Sequence, residues 1–375
     1  MTTAQLSQHH PTVASQSPLT PAVAKCIDST FKDRWRCLQS VDDLIAAVVD
    51  TVDKAGALDN TYFLYSSDHG YQLGELNLPQ DKRNVYEFDV KIHLLVRGPG
   101  IRAGSQWSEV ASNVDFAPTI LAMAGLAAPD SMDGRSFLKL VVDADSAELP
   151  ATVRKSLERD AARGDPWRTT HYIKHNSVGA GNYPSPKPPN CAARPNGAAR
   201  ASDHHYVDQP DNNFIAIRNV PSSSRSGPAA GDEFAKVYAA AKTVSENFLF
   251  AEFQWNNFEQ FPATTHTHPV LPCCSVPCAE CGPDARPYDP EIPLQRHLGS
   301  NNPHAWINGY QNDTQSSPGN INFTQPFFFE LFDMEKDPWQ MRNIFSDVLK
   351  AEPHVVAAMH EHVQKLHVCK GASCP

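Results

Sequence analysis

An α/β fold is what this sequence predicts, and three observations carry the prediction. A helix-period run over residues 40–55 leads directly into a short β-branched and aromatic run at 61–65. That run breaks at the polar cluster Ser66-Ser67-Asp68-His69-Gly70, and a second apolar run at 92–96 stops at Arg97-Gly98-Pro99-Gly100. A helix followed by a strand is an α/β crossover, which favours a parallel strand covered by helices. Ligands of open α/β sheets bind beyond strand ends, so the polar cluster is the first candidate site.

Residues 1–30 are rich in Ser, Thr, Gln, Pro and Ala without a sustained period and read as an irregular segment. The adjacent His9 and His10 then read as solvent-exposed bystanders, with ligand contact as the alternative. In the 40–55 helix Ser40 can cap, Asp43 holds the capping-box position and Gly56 ends it. Val41, Leu44, Ile45, Val48, Val49 and Val52 form its expected core face, with Asp42, Asp50 and Asp53 turned outward. Between the two predicted strands lies Lys82, inside Asp81-Lys82-Arg83. Residues 113–125 read as a short helix in which Pro118 fits the first turn and Gly125 the end. Met132 to Leu138 makes a turn into another apolar segment.

Residues 141–325 are loop-rich, with extended runs at 213–218 and 247–253. Together with 327–332 these suit an antiparallel meander better than βαβ units. A helix over 347–367 closes the chain, and no internal repeat is present.

The 375 residues are 41% hydrophobic and 20% charged, a globular composition, and the net charge of −10 excludes a broad nucleic-acid surface. No apolar run approaches the ~20 residues of a transmembrane helix, and the polar N-terminus lacks a signal peptide's apolar core. Six of the nine cysteines fall late: Cys273, Cys274, Cys278, Cys281, Cys369 and Cys374. Their density points to disulfides and an oxidising compartment. The competing zinc reading of Cys274, Cys278 and Cys281 lacks a second pair at finger-like spacing. Two sequons, at Asn312 and Asn322, point the same way as the disulfides.

Asp68 and His69 at a strand end suit a metal site, a general-base pair, or simple turn geometry. Lys82 alone suits a solvated surface lysine. Taken together the three can serve an oxyanion ester, a hard cation and an ammonium neutralising its charge.

The ordered runs Ser67-Asp68-His69-Gly70-Tyr71, Leu78-Pro79-Gln80-Asp81-Lys82-Arg83, Tyr86-Glu87-Phe88-Asp89 and Leu94-Leu95-Val96-Arg97-Gly98-Pro99-Gly100-Ile101 closely resemble the type I sulfatases, nearest the N-acetylglucosamine-6-sulfatases and algal-type arylsulfatases. Ser40-Val41-Asp42-Asp43-Leu44, Asp115-Phe116-Ala117-Pro118-Thr119-Ile120-Leu121 with Asp133-Gly134, and the stretch Glu330 to Pro338 add to it. The resemblance is strong over 31–140, weaker over 326–375 and faint between. It implies part of an alkaline-phosphatase-like sheet with helices over 31–140, a divergent region over 141–325, and over 326–375 the strand and terminal helix of a smaller antiparallel domain. It also implies a secreted or lysosomal, glycosylated sulfuric ester hydrolase acting on a sulfated small molecule or glycan, with a calcium ion and a formylglycine nucleophile. Asp68 matches the acidic calcium ligand and His69 the ligand that follows it, although calcium prefers oxygen. Lys82 matches the sulfate-contacting lysine.

The departures bear on mechanism. The formylglycine signature, Cys or Ser followed by x-Pro-x-Arg, is absent, as is the aspartate pair that precedes these motifs in the family. Cys281-Gly282-Pro283-Asp284-Ala285 imitates the signature but carries alanine in place of arginine. His93 stands where relatives carry proline. The expectation is a piece of a longer sulfatase whose signal peptide and nucleophile precede Met1, inactive alone, with an unpaired sheet edge and exposed apolar surface. The alternatives are an inactive protein that binds sulfated glycans, or a phosphoester or phosphonate hydrolase of the same superfamily.

Overall fold

The computed structural model describes residues 3–14, 16, 18–162, 167–176, 212–222, 232–254, 323, 326–371 and 374. The N-terminal segment is helical where the sequence reads as irregular. Two single-turn helices, α1 (Thr3–Leu6) and α2 (Pro11–Ala14), precede the 34-residue α3 (Pro21–Lys54). The start of α3 is built locally: the Thr20 side chain accepts from the Val23 backbone N–H, and Pro21 occupies a first-turn position that needs no donor. Ser40, expected as the cap, is therefore an exposed mid-helix residue. The expected core face of this helix is uncovered as well. No residue of α3 is buried, and Leu44 is 62% exposed.

After the helix come β1 (Phe63–Ser66) and, following the single-turn α4 (Glu87–Val90), β2 (Leu94–Arg97). They pair antiparallel, Phe63 opposite Arg97, so the expected parallel arrangement is corrected. Residues 67–93 form a loop with only single helical turns, and without a crossover helix the chain returns alongside its own strand. Among the described residues this sheet has two strands, and the expected exposed apolar surface includes Phe31, Trp35, Leu38 and Val48.

Helix α5 (Phe116–Met123) follows a 3₁₀ turn at Asn113–Asp115, with Pro118 in its first turn, as expected. Gly125, at φ +76, ends it; an added Cβ would lie 2.6 Å from that of Thr152. Helices α6 (Leu138–Val141) and α7 (Ala151–Ala162) complete a cluster around Phe137, Leu138, Val153 and Trp167, against which Tyr62 just before the small sheet and Leu64, Leu94 and Val96 within it pack.

The larger sheet runs β3 (Thr170–His175), β4 (Asn213–Asn219), β5 (Phe248–Gln254) and β6 (Phe328–Asp333), every neighbouring pair antiparallel. The meander is as predicted, with β3 added as a strand the pattern did not disclose. Every residue of β5 is buried, so it lacks the polar alternation of a one-faced strand. One face of the sheet packs on α8 (Glu233–Ala240) and the C-terminal helices Phe345–Ala351 and Pro353–Val368. The predicted terminal helix is split at Glu352 because Pro353 cannot continue the ladder. The other face covers Leu6, Val13, Leu76, Leu78, Val85 and Tyr86.

His9 and His10, expected in solvent, are 1% and 2% exposed. The aromatic face of the sheet takes them in: His10 stacks on Phe253 at 4.3 Å, and its backbone N–H donates to Glu330 Oε1 at 2.8 Å. Cys369 and Cys374 form a disulfide, as the cysteine usage predicts. Cys273, Cys274, Cys278 and Cys281 and both sequons lie outside the described residues.

Candidate functional site

The polar cluster after β1 is a tight loop held from both sides. The Ser66 hydroxyl donates to the His93 carbonyl at 2.6 Å, tying the end of β1 to the entry of β2. The Tyr65 and His93 rings stack at 5.0 Å, so His93 has a packing role at the sheet end. Ser67 Oγ donates to the His69 carbonyl at 2.7 Å, and the His69 N–H donates to Asp68 Oδ1 at 3.0 Å. Gly70 donates to the Asp89 carbonyl at 2.7 Å, and a Cβ there would lie 2.1 Å from the Phe88 carbonyl oxygen. Only glycine permits that approach.

The next segment carries Lys82. Gln72 bridges Asp81, and Leu76, Asn77 and Asp81 all have positive φ, at 52°, 59° and 113°. Three non-glycine residues in this sparsely populated region mark strained backbone beside the lysine. Asp89, buried, accepts from the Arg83 and Asn84 N–H groups at 3.0 and 2.8 Å. Burial pushes its carboxyl up to about 7 despite those bonds. The loop then rests on the large sheet. The Tyr86 hydroxyl donates to Glu330 Oε1 at 3.0 Å, and Glu87 pairs with Arg218 at 2.7 Å.

Of the three residues singled out, Asp68 and His69 are neighbours in space as in sequence, with His69 Nε2 3.2 Å from Asp68 Oδ2. The Asp68 side chain is 82% exposed. Lys82 lies 3.8 Å from Asp81 and faces the Tyr71 ring with its ammonium 6.0 Å from the centroid. On the same ring sits Arg34 of α3, its guanidinium carbon 4.5 Å from the centroid. Tyr71 is pushed up by burial and by Asp81, with Arg34 opposing, so the phenol keeps its proton at neutral pH.

The donor set does not fit a complete calcium site. Calcium takes 6–8 oxygen ligands, and Asp68 supplies one exposed carboxylate. The other His69 nitrogen faces the Gly70 carbonyl at 2.7 Å, so both ring nitrogens are already directed at protein oxygens. Among the described residues no group of three His, Cys, Asp or Glu side chains could hold a metal ion.

Sequence reasoning passed over Arg34, Asn113 and Asp89 as site residues. Asn113 donates its amide to the Asp68 carbonyl at 3.0 Å from a 3₁₀ turn fixed by the Ser112–Asp115 capping box. The capping pattern was readable; the contact across 45 residues was not. A wide groove along β2, walled by Ile101, Trp107 and Phe116, includes Asn113 but neither Asp68 nor Lys82.

Residues 1–126 match the family model described as Sulfatase. Over 128 residues the chain is 44% identical to N-acetylglucosamine-6-sulfatase of Capra hircus, covering 34% of this chain and 23% of that protein. It is 38% identical over 148 residues to an arylsulfatase of Volvox carteri, covering 38% of this chain and 23% of that one. It is 42% identical over 130 residues to an extracellular sulfatase SULF-1 homolog of Drosophila melanogaster, covering 35% and 12%. Among solved structures, the phosphonate monoester hydrolase of Agrobacterium radiobacter aligns at a TM-score of 0.42 and 15% identity, over 88% of this chain and 40% of that one. The resemblance to the sulfatases is therefore shown for residues 1–126, and the chain spans about a quarter of the length of the first of these relatives.

Proposed function

We propose, from the sulfatase segment at residues 1–126, that the loop between β1 and β2 is the sulfate-recognising part of a sulfuric ester hydrolase. The observation that carries this reading is that Asp68, His69 and Lys82 all lie inside the matched segment, in the strained loop between the two strand ends. Lys82 contributes the ammonium that neutralises the ester's charge and, in the reaction, charge growing on the leaving oxygen. Gly70 and Asp89 hold the loop shape, and Asn113 fixes the Asp68 backbone. Asp68 and His69 contribute part of a metal's coordination at most, and no step is assigned to a metal or to a formylglycine.

The substrate class is a sulfated sugar or aryl alcohol. Residues 31–140 form the unit that carries the site. The compartment is the secretory pathway, a placement supported by the Cys369–Cys374 disulfide. No helix of the described residues is long and apolar enough to cross a membrane.

The test compares 4-nitrocatechol sulfate with 4-nitrocatechol, which lacks the sulfate. The chain binds the sulfate ester without turning it over, having no Cys/Ser-x-Pro-x-Arg. Lys82→Ala weakens binding of the ester and leaves the phenol unchanged. Equal affinity of wild type and Lys82→Ala for the ester overturns the assignment.

A further inference from the structure

Arg34 lies on the exposed stretch of α3, where its neighbour Arg36 is paired with Asp33 at 2.5 Å. Arg34 itself has no carboxylate within ion-pair distance among the described residues. Instead its guanidinium lies against the Tyr71 ring, the ring that Lys82 also faces. Two cations from segments about 50 residues apart thus converge on one phenol.

Lys82 keeps Asp81 at 3.8 Å, whereas Arg34 has, among the described residues, only the ring beside it. A guanidinium held on a ring face without a carboxylate, near a lysine ammonium on the same ring, is a place for an anion. Arg34 suits it particularly, because a guanidinium presents a planar fork of donors to a tetrahedral oxyanion, and stacking on Tyr71 reduces the rotamer freedom lost on binding.

We propose that Arg34 is a second anion-contacting side chain of the site, acting with Lys82 around the Tyr71 ring on sulfate or a sulfate ester. The proposal rests on the reading of Lys82 given above and extends the site from the loop to helix α3. It assigns Tyr71 two parts: its ring fixes the positions of the cations, and its hydroxyl remains a donor.

The test is isothermal titration of the full chain with inorganic sulfate at constant ionic strength, chloride making up the balance. Arg34→Ala weakens binding about five- to tenfold, the scale of one charge-assisted hydrogen bond at a partly solvated position. Arg34→Lys recovers part of the loss. Arg36→Ala, which removes a neighbouring charge already paired with Asp33, leaves binding unchanged. Alanine is the strongest helix former, so circular dichroism of Arg34→Ala matches wild type.

Wild-type affinity in Arg34→Ala together with a loss in Lys82→Ala overturns the role of Arg34 and leaves the reading of Lys82 standing. Equal losses in Arg34→Ala and Arg36→Ala reduce the effect to general charge and also overturn it. Absence of sulfate binding by wild type, or wild-type affinity in Lys82→Ala, sinks the reading of the site together with the proposal.

Discussion

Replacing Glu330 by glutamine should stabilise the protein in alkaline solution and do little in acid. Glu330 is fully buried on β6, accepts from the His10 N–H and the Tyr86 hydroxyl through Oε1, and lies 3.8 Å from His9 Nδ1. Burial raises its carboxyl from 4.5 to about 7, against the two hydrogen bonds, while His9 is lowered to about 4 and gives no compensating positive charge at neutral pH. With the folded value above the unfolded one, the folded state holds the proton through a window in which the unfolded chain has released it. Stability from this group is fully present below about 4.5 and is lost as pH rises through about 7. A shift of this size corresponds to about 3 kcal/mol between the two limits. Glutamine keeps an acceptor for both donors and cannot ionise. Urea unfolding of wild type and Glu330→Gln at pH 5 and pH 8 measures the difference directly. The variant gains stability relative to wild type by up to about 3 kcal/mol between those pH values. An equal difference at both would refute the buried-proton argument.

Three further outcomes follow from the same geometry. Gly70→Ala pushes a Cβ into the Phe88 carbonyl and breaks the Gly70–Asp89 clamp, so the loop loses about 2 kcal/mol or more, read as faster amide exchange at residues 68–90 and weaker sulfate binding. Reducing the Cys369–Cys374 bridge, which spans a sequence separation of 5, costs about 2 kcal/mol by loop entropy, and thermal unfolding with and without reductant measures it. Trp35→Glu removes a 60% exposed indole from the apolar stripe of α3 and lowers self-association in sedimentation velocity without altering the helical signal.

The antiparallel meander of the larger sheet is legible because β4, β5 and β6 are apolar runs separated by loops. The helix around residues 40–55 was legible in its second half only. Ser40 with Asp43 imitates a capping box, and nothing in the local pattern says that Thr20 and Pro21 begin the same helix. The direction of β2 is not legible for a related reason: helix then strand suggests a crossover, but the chain between 67 and 93 contains no helix long enough to make one. The polar neighbours of His9 and His10 point to solvent, whereas their burial depends on Phe253 and Glu330, more than 240 residues away. Asp68, His69 and Lys82 stood out because their loop follows a strand end. Arg34 did not, since a charged residue on a helix face is ordinarily solvated and only the fold brings it to Tyr71.

If Lys82 holds an oxyanion, a crystal of the full chain soaked in tungstate, a heavy tetrahedral analogue of sulfate, shows an anomalous peak within hydrogen-bond distance of the Lys82 ammonium. A well-ordered peak elsewhere, with none at Lys82 under saturating tungstate, would contradict it.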